Sequence, residues 1–405
     1  MKNVLVGQSG GPTAVINASL YGVVREALAH GDKIGHVYGM LNGMEGFLQD
    51  RYMDMGQELS GEELELLKLT PAAYLGSCRF KLPENLEDDF YKTAFEKLEA
   101  LNIGYFFYIG GNDSMDTVSK LSRYGERVGS DIRFIGVPKT IDNDLIETDH
   151  TPGFGSAAKY VAATVREIVL DASVYEQKAV TIIELMGRHA GWLTAASALA
   201  RKFEGDNPVL IYLPEVVFNQ EEFLEKVKKA LETTPNLVVC VSEGINDGNG
   251  TFICEFASDV GVDTFGHKML TGSGKYLENL IKEKLGVKVR SVELNVSQRC
   301  SSSCLSKTDL DEADHSGAFA VNAALNGETG KMISFVRTNT SPYELSFSTA
   351  DVNIICNQEK SVPLSWITKD GSDVTDEFIR YAAPLIQGSV DVPTENGLPL
   401  FAFRK

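Results

Sequence analysis

The sequence predicts an α/β fold of two Rossmann-like, three-layer domains with mostly parallel sheets. Short runs of β-branched and aromatic residues alternate with longer stretches whose apolar residues recur every three or four positions. This alternation is typical of parallel sheets that are covered by helices on both faces. Glycine or charged residues follow six of the strand-like runs, and ligands of such sheets bind beyond the carboxyl ends of the strands. We therefore expect a polar active site in the cleft between the two domains.

The individual elements are predicted from local patterns. A capping box, in which a serine and a glutamate three residues later satisfy each other's backbone N–H groups, is predicted for Ser60 and Glu63. Another helix is predicted to end at Gly286. The predicted strands are 4–7, 36–39, 105–109, 133–137, 181–185, 209–213, 237–241 and 332–336, and the predicted helices begin near Val15 or span 60–69, 88–101, 221–234 and 275–286.

Composition excludes several classes of protein. The formal net charge of −18 over 405 residues argues against a general binder of nucleic acid or of acidic membranes, whose binding surface is basic. No apolar stretch approaches the ~20 residues of a membrane span, and no targeting segment is visible. We therefore expect a cytoplasmic protein. The close pair Cys300 and Cys304 has no second pair at the spacing of zinc ligands, so reduced thiols are favoured over a metal site.

Two glycine-containing loops are candidates for phosphate binding. Gly10 and Gly11 follow the first strand and precede a helix, and Gly110 and Gly111 follow the strand YFFYI. Free backbone N–H groups at a helix start attract anions, and glycine leaves room for them. Each loop, taken alone, is also compatible with a plain tight turn. The aspartate at 113 is unusual beside an expected phosphate, because it adds negative charge.

The stretch PKTIDND at 138–144 combines charges that suit phosphoryl transfer. Asp142 and Asp144 occupy alternate positions, so an extended backbone would point both carboxylates to one side. One carboxylate could accept a hydroxyl proton, and the other could hold Mg²⁺ or orient the first. Lys139 could neutralise a transferring phosphoryl group. The alternative for this stretch is an Asp/Asn-rich surface turn.

Arginines near other strand ends could hold phosphate by paired hydrogen bonds. They are Arg79, Arg188, Arg290 and Arg299, and each could instead form a surface salt bridge. The residues together predict a two-domain α/β enzyme that binds two phosphorylated ligands and Mg²⁺ and transfers a phosphoryl group. No G-x-x-x-x-G-K-[ST] loop and no protein-kinase motif occurs, and no G-x-G-x-x-G opens the chain as in nicotinamide enzymes.

In their order, the segments GQSGGPTAVINA, LGSCRF, GGNDS, PKTIDND, ELMGRHAGW, SEG and R-x₈-R resemble the 6-phosphofructokinases. The resemblance runs from about residue 4 to about residue 340. It implies two similar α/β domains with the active site between them. Members that use ATP have glycine at the positions of Asp113 and Lys139, whereas members that use pyrophosphate carry aspartate and lysine there. The chain has the second pair, so the resemblance implies reversible, Mg²⁺-dependent transfer from pyrophosphate to the 1-hydroxyl of fructose 6-phosphate.

The resemblance also implies a role for each residue of the site. Asp142 is expected to take the proton of the sugar hydroxyl, with Asp144, Lys139 and Arg188 completing the catalytic set. The expected ligand contacts are Gly11, Arg79, Gly111, Asp113 and Lys139 for pyrophosphate, Thr140, Met186, Gly187, Arg188, Glu243, Arg290 and Arg299 for the sugar phosphate, and Asn112, Asp113 and Asp142 for Mg²⁺.

Three positions depart from the family pattern. Asn112 stands where the family usually has an aspartate that helps to hold Mg²⁺. Val296 stands where the family has a histidine three residues before the last arginine. Ala179, next to Lys178, stands where many members supply an arginine from a neighbouring subunit. A homo-oligomer, a dimer or a tetramer, is implied by the resemblance.

The predicted domains are 1–150 plus about 299–345 for pyrophosphate and Mg²⁺, and 151–298 for fructose 6-phosphate. Residues 346–405 resemble the C-terminal extension of some pyrophosphate-dependent members and are expected to pack on the sugar domain. Two alternatives stay open: an ATP-dependent 6-phosphofructokinase and a non-catalytic regulatory subunit of the family. Sedoheptulose 7-phosphate is a possible second substrate.

Overall fold

The protein has an α/β fold, seen in a computed structural model that describes residues 1–256 and 272–404. The described chain divides into two compact units. Unit 1 consists of residues 1–156, 299–359 and 387–405, and unit 2 consists of residues 157–298 and 360–386. Among the described residues, no helix is both long and apolar enough to cross a lipid bilayer.

Thirteen strands occur in the described residues, and every strand predicted from the sequence is among them. They are β1 (Lys2–Gln8), β2 (Ile34–Met40), β3 (Tyr52–Asp54), β4 (Ile103–Gly110), β5 (Arg133–Pro138), β6 (Ala179–Leu185), β7 (Leu210–Tyr212), β8 (Asn236–Ser242), β9 (Lys288–Glu293), β10 (Lys331–Thr340), β11 (Tyr343–Asp351), β12 (Thr394–Glu395) and β13 (Leu398–Pro399).

Thirteen α-helices connect the strands in the part of the chain that the structure describes. The capping box of Ser60 and Glu63 is confirmed at the start of the fourth helix. The helices are α1 (Ile16–Ala29), α2 (Gly43–Leu48), α3 (Met55–Glu58), α4 (Gly61–Leu69), α5 (Asp89–Ala100), α6 (Asn112–Val128), α7 (Phe154–Ala172), α8 (Trp192–Ala196), α9 (Gln220–Thr233), α10 (Ser273–Leu285), α11 (Lys307–Leu325), α12 (Val352–Ile355) and α13 (Asp376–Ala382).

Unit 1 is organised around a seven-stranded sheet in the order β11-β10-β5-β4-β1-β2-β3. The pairs β2–β3 and β10–β11 are antiparallel, and the other neighbours in this sheet are parallel. Side chains of its central strands alternate between two apolar cores. Val4, Val6 and Phe107 belong to one core, whereas Leu5 and Phe106 belong to the other. Both faces are therefore covered, which confirms the predicted α/β class with mostly parallel sheets.

Unit 2 contains a smaller sheet of four parallel strands in the order β7-β8-β6-β9. Its core includes Val180 and Ile182 of β6 and Leu237 and Val239 of β8, all fully buried. Residues 360–386 join this unit through a cluster of aromatic rings, which includes the edge-on pair of Trp192 and Trp366 with ring centroids 6.1 Å apart.

The C-terminal part of the chain is divided between the units. Residues 346–359 and 387–405 belong to unit 1, and residues 360–386 belong to unit 2. The sequence instead assigned the whole of 346–405 to packing on the second domain. Residues 360–386 and 387–405 are separated in sequence from the other residues of their units, so short-range patterns carry no information about this division. The assignment of one ligand to each domain stays a prediction.

A buried charged network stabilises unit 1 beyond its apolar cores. The ring of His150 is fully enclosed, with Nδ1 2.7 Å from Oδ2 of Asp149 and Nε2 2.7 Å from Oε2 of Glu312. Arg337 also donates to Asp149, and Tyr343 donates to Glu312. Burial lowers the pKa of His150, but the two carboxylates outweigh it and raise the pKa to about 9.

We expect His150→Gln to lower the free energy of unfolding by about 3 kcal/mol near pH 6, because it leaves buried carboxylates without their cation. The folded-state pKa of His150 is raised from 6.5 to about 9. The stabilisation is therefore complete below pH 6.5 and is lost as pH rises through 9. Urea unfolding of the wild-type chain and of His150→Gln should be measured from pH 6 to 10. The difference between their free energies of unfolding should shrink as the pH rises.

The matched control is His36→Gln. Nδ1 of His36 lies 2.6 Å from Oδ2 of Asp54, but the His36 side chain is 48% exposed. We expect this change to alter the free energy of unfolding by less than about 1 kcal/mol, because solvent screens exposed pairs. Equal effects of the two substitutions would contradict the role given to burial of His150.

Candidate active site

The carboxyl ends of three neighbouring strands in unit 1 define the candidate site. Ile109 of β4 pairs with Gln8 of β1 on one side and with Val137 of β5 on the other. The connection after β1 leads away from β4, to β2, so the order of strands reverses between β1 and β4. Ligands of open α/β sheets bind at such a reversal. The loops that follow these three strands therefore lie side by side.

The loop after β1 packs against the segment that precedes Arg79. Gly10 has a φ of +77°, its N–H donates to the carbonyl of Cys78 at 3.2 Å, and its carbonyl accepts from Oγ of Ser77 at 2.6 Å. The left-handed backbone at Gly10 is one that other residues rarely adopt. These contacts hold Arg79, which is exposed, at the same edge of the sheet as the first glycine loop.

The ammonium group of Lys139 lies against this glycine loop. Lys139 is 3% exposed, and its Nζ donates to the carbonyl of Gly11 at 2.6 Å. A Cβ atom at Gly11 would lie 3.1 Å from Nη1 of Arg299. Glycine at position 11 thus allows Lys139 and Arg299 to approach the same stretch of backbone. This combination of cations and glycine is suited to an anionic ligand.

The charges around Lys139 perturb its ionisation. Burial lowers the pKa of Lys139, and the positive charges of Arg299 and Arg79 lower it further. The carboxylates of Asp142 and Asp144 oppose this shift, and the resulting pKa is about 8. A cation that is partly destabilised by other cations gains stability when an anion binds. An anion bound beside Lys139, Arg79 and Arg299 would therefore favour the charged form of Lys139.

The loop after β5 is fixed by its own hydrogen bonds. Oγ1 of Thr140 accepts from the N–H of Asp142 at 3.0 Å. Oδ1 of Asn143 accepts from the N–H of Thr151 at 3.1 Å, and Oγ1 of Thr151 donates to the carbonyl of Thr140 at 2.8 Å. Asn143 has a φ of +54°, which asparagine adopts more readily than most residues. The segment 140–144 is thus a closed, ordered loop and not a free surface turn.

Asp142 and Asp144 lie close enough to affect each other. Burial raises the pKa of Asp144, the negative charges of Asp142 and Glu359 raise it further, and the pKa reaches about 7. Two neighbouring carboxylates readily share one proton, and perturbed groups of this kind are typical of acid–base chemistry. The pair can therefore accept a proton from a bound hydroxyl near neutral pH.

The first turn of α6 holds two further residues of the predicted site. The side chain of Asp113 is 72% exposed, and its Oδ1 lies 4.0 Å from Nζ of Lys81. Gly111 precedes the helix without a side-chain cap, so backbone N–H groups of the first turn lack a partner within the helix. The side-chain amide of Asn112 bonds to the backbone of Asn357 and Gln358.

In unit 2, the loop after β6 meets the end of β8. The N–H of Gly187 donates to Oε1 of Glu243 at 3.2 Å, and Oγ of Ser242 donates to the carbonyl of Gly187. The N–H of Met186 donates to Oε1 of Gln298 at 3.3 Å. The structure therefore brings Met186, Gly187 and Glu243 together, with Arg188 next in the chain.

The two arginines of the R-x₈-R motif are separated. Arg290 lies on β9, where it pairs in register with Thr181, and its side chain is exposed. Glu293, the last residue of β9, pairs with Glu184 near the carboxyl end of β6. At about 3.3 Å a residue, Arg290 lies roughly 10 Å before the carboxyl end of the strand. Arg299 belongs to unit 1 and approaches Gly11, although the sequence grouped it with the sugar contacts.

Sequence reasoning did not identify several residues that shape the site. Ser77 and Ser242 fix the glycine loops through their hydroxyl groups, and Gln298 holds the N–H of Met186. Asn357 and Gln358 bind Asn112 from a distant part of the chain. Both serines lie within quoted segments, Ser77 in LGSCRF and Ser242 in SEG, and could have been examined. Nothing in the local sequence points to the other three residues.

Comparison with known proteins agrees with this geometry. The phosphofructokinase profile matches residues 3–324. The chain belongs to the phosphofructokinase family. All of the candidate site residues lie within the matched range.

Three relatives illustrate where this phosphofructokinase lies within the family. The chain is 42% identical to the pyrophosphate–fructose 6-phosphate 1-phosphotransferase of Halomonas elongata, over 99% of this chain and 95% of the relative. It is 41% identical to the enzyme of the same name from Methylococcus capsulatus, with coverages of 98% and 94%. The crystal structure of a pyrophosphate-dependent phosphofructokinase from Marinobacter aquaeolei superposes with a TM-score of 0.90 at 39% identity, with coverages of 99% and 96%.

Proposed function

We propose that the chain catalyses the reversible, Mg²⁺-dependent transfer of a phosphoryl group from pyrophosphate to the 1-hydroxyl of fructose 6-phosphate. The products are fructose 1,6-bisphosphate and phosphate. The observation that carries this proposal is the buried ammonium group of Lys139, which lies 2.6 Å from the carbonyl of Gly11 and close to the carboxylates of Asp142 and Asp144. The names of the full-length relatives support the same reaction.

The chemistry assigned to this chain is a direct, in-line displacement. Asp142 accepts the proton of the 1-hydroxyl while the sugar oxygen forms a bond to the terminal phosphorus of pyrophosphate. The bond from that phosphorus to the bridging oxygen breaks, and phosphate leaves with its electron pair. Asp144 keeps Asp142 a competent base through its charge, and Lys139 stabilises the phosphoryl group during transfer. Thr140 is proposed to contact the same sugar hydroxyl.

The binding roles follow the two units. We propose that unit 1 binds pyrophosphate through the backbone of Gly11 and Gly111 and the side chains of Arg79 and Lys139. Arg299 approaches Gly11 in the same unit, so the phosphate that it binds is proposed to lie near this loop. Unit 2 is proposed to bind the sugar of fructose 6-phosphate through residues Met186, Gly187, Arg188 and Glu243.

We propose that a divalent metal binds beside the pyrophosphate in unit 1. Among the described residues, no group of three or more His, Cys, Asp or Glu side chains is arranged to hold a metal ion alone. Mg²⁺ usually keeps several waters and takes only one or two carboxylates together with substrate phosphates. Asp142 and the exposed Asp113 are the carboxylates that could supply them. When bound, Mg²⁺ would neutralise charge on the pyrophosphate oxygens.

Arg290 supports the proposal of a homo-oligomer, a dimer or a tetramer. This exposed arginine lies about 10 Å before the carboxyl end of β9, which is far from the loop after β6 in the same unit. We infer that it binds the sugar phosphate held by a second copy of the chain. Mixing inactive Arg290→Ala and Asp142→Asn proteins should restore part of the activity. No restoration would argue against a shared site.

A cytoplasmic location is proposed on the state of the cysteines. All six are free, and Cys78, Cys240 and Cys254 are buried. Disulfides are rare in the reducing cytoplasm. A thiol titration of the unfolded protein, purified without reductant, should count six reactive groups.

The donor assay tests the proposed function. Formation of fructose 1,6-bisphosphate is measured with the purified chain, constant fructose 6-phosphate and Mg²⁺, and either pyrophosphate or ATP. Activity with pyrophosphate alone is expected. Activity with ATP alone would overturn the donor assignment, and activity with neither would favour a non-catalytic subunit. Replacing the sugar by sedoheptulose 7-phosphate tests the second substrate.

The ionisation of Lys139 is expected to make kcat/KM for pyrophosphate depend on pH. Because its pKa is lowered to about 8, Lys139 loses its positive charge above pH 8 in the free enzyme. We expect kcat/KM for pyrophosphate to fall above that pH, since kcat/KM reports the free enzyme. In Lys139→Arg the side chain stays charged, and any activity that remains should lack this decline. The measurement is kcat/KM for both proteins between pH 6 and 10; the same falling limb in both would contradict the assignment.

A further inference from the structure

A short segment of unit 1, residues 352–359, lies against the first part of α6. We call this segment the strap. It lies beyond residues 3–324, which match the family profile. Val352 and Ile355 are fully buried in the core that also contains Met115 and Val118 of α6. Oγ of Ser119 donates to Oδ1 of Asn353 at 2.8 Å. The first half of the strap is therefore anchored to the body of the helix.

The second half of the strap is attached to the first residue of the helix. Oδ1 of Asn112 accepts from the N–H of Asn357 at 2.6 Å, and Nδ2 of Asn112 donates to the carbonyl of Gln358 at 2.6 Å. Asn357 has a φ of +64°, and this left-handed turn presents its N–H and the next carbonyl to one amide. Glu359 follows, and its charge reaches Asp144, whose pKa it helps to raise.

The side-chain amide of Asn112 satisfies both of these backbone groups. An amide offers an acceptor oxygen and a donor nitrogen side by side, whereas an ionised carboxylate offers acceptors alone. An aspartate at position 112 would accept from the N–H of Asn357 but would face the carbonyl of Gln358 with a second oxygen. The two short hydrogen bonds therefore give a physical reason for asparagine at a position where the sequence alone predicted a metal ligand.

We propose that Asn112 is a positioning residue, which fastens the strap to the first turn of α6 and thereby holds that turn in place for the phosphate donor. Gly111 precedes this turn, and the turn carries Asp113 and backbone N–H groups that lack partners within the helix. Through Val352 and Ile355 the strap is anchored in the apolar core, so the attachment restrains the turn from outside the helix. In this arrangement the oxygen of Asn112 bonds to the protein backbone and does not serve Mg²⁺.

The assignment of the donor as pyrophosphate rests on the proposed function, but the attachment itself does not. The two roles for residue 112 make opposite predictions for Asn112→Asp. A metal-binding role predicts tighter Mg²⁺ binding, because a carboxylate adds charge. A fastening role predicts a loosened strap and weaker donor binding, because a hydrogen bond is replaced by repulsion between oxygens.

The experiment uses the full chain and the variants Asn112→Asp, Asn112→Ala and Ser119→Ala. Amide hydrogen exchange, measured without ligands, reports local opening of 112–118 and of the strap. We expect at least about tenfold faster exchange at Asn357 and Gln358 in both Asn112 variants. The KM for pyrophosphate should rise severalfold, and the Mg²⁺ concentration for half activation should not fall.

Ser119→Ala is the matched control, since it removes the hydrogen bond between Ser119 and Asn353 of the strap. Ser119 lies about two turns along α6 from Asn112. It should speed exchange near Asn353 and leave the KM for pyrophosphate unchanged. Unchanged strap exchange in Asn112→Asp, or half activation at a lower Mg²⁺ concentration, would overturn the proposal. If the wild-type chain has no activity with pyrophosphate, the proposed function fails, and the exchange measurement alone decides whether Asn112 fastens the strap.

Discussion

Asp142→Asn is expected to lower kcat by about 10³-fold, because a positioned general base typically contributes 10²- to 10⁴-fold. Asparagine keeps the size of the side chain and the hydrogen bond from the N–H of residue 142 to Oγ1 of Thr140 at 3.0 Å, so the loop should stay folded. Loss of the carboxylate removes the proton acceptor for the 1-hydroxyl. The KM for fructose 6-phosphate should change by less than about threefold.

The matched comparison for this prediction is Asp144→Asn. It removes the negative charge next to Asp142 but leaves the proposed base, so we expect a smaller loss of kcat, on the order of tenfold. The measurements are steady-state kcat and KM in the direction that forms fructose 1,6-bisphosphate. A larger loss for Asp144→Asn than for Asp142→Asn would exchange the roles of the two carboxylates.

The second large effect concerns the choice of donor. Asp113→Gly is expected to raise kcat/KM for ATP by about 10- to 100-fold relative to pyrophosphate. A carboxylate and a phosphate 4 Å apart repel by about 4 kcal/mol at a dielectric constant of 20, and by about 1 kcal/mol in bulk water. The side chain of Asp113 is 72% exposed, so solvent screening places the effect between these limits. Glycine also removes the bulk that a nucleotide would meet.

Two further variants separate charge from size at position 113. Asp113→Asn removes only the negative charge and should give part of the gain with ATP. Lys81→Ala removes the ammonium group that lies 4.0 Å from Oδ1 of Asp113 and should leave the ratio of ATP to pyrophosphate activity within threefold. If Asp113→Gly does not change the ratio of kcat/KM values for the two donors, residue 113 does not select the donor.

Local patterns predicted much of the fold, because residues that are close in sequence determine the strands and helices of the core. The strands β1, β4, β5, β6 and β8 are nearly continuous apolar runs, since both of their faces are covered. The strands β3, β9, β11, β12 and β13 were missed. Among the described strands they lie at sheet edges, where exposed and partly exposed residues dilute the apolar signal.

Arrangement of the site was less predictable than its composition. The glycine loops and the TIDND loop could be placed together, because parallel strands end at the same edge of a sheet. The resemblance to the family grouped Arg290 with Arg299 as contacts of the sugar phosphate. In the structure Arg290 lies on β9, Arg299 ends a 3₁₀ turn at Asn295–Arg299, and the two belong to different units. The partner of Asn112 is 246 positions away, which no local rule can reach.

The discontinuity of unit 1 has a consequence for synthesis on the ribosome. Helix α1 packs beside α11, where Asn322 donates to Glu26 across 296 positions of sequence, and β10 pairs with β5. The residues of β1–β5 are therefore made first but cannot complete their sheet until the last third of the chain emerges. At 5–20 residues per second, that delay is on the order of ten seconds or more. Residues 157–298 of unit 2 emerge in that interval, and residues 360–386 complete that unit. Unit 1 begins first but is completed last, because it also includes residues 387–405.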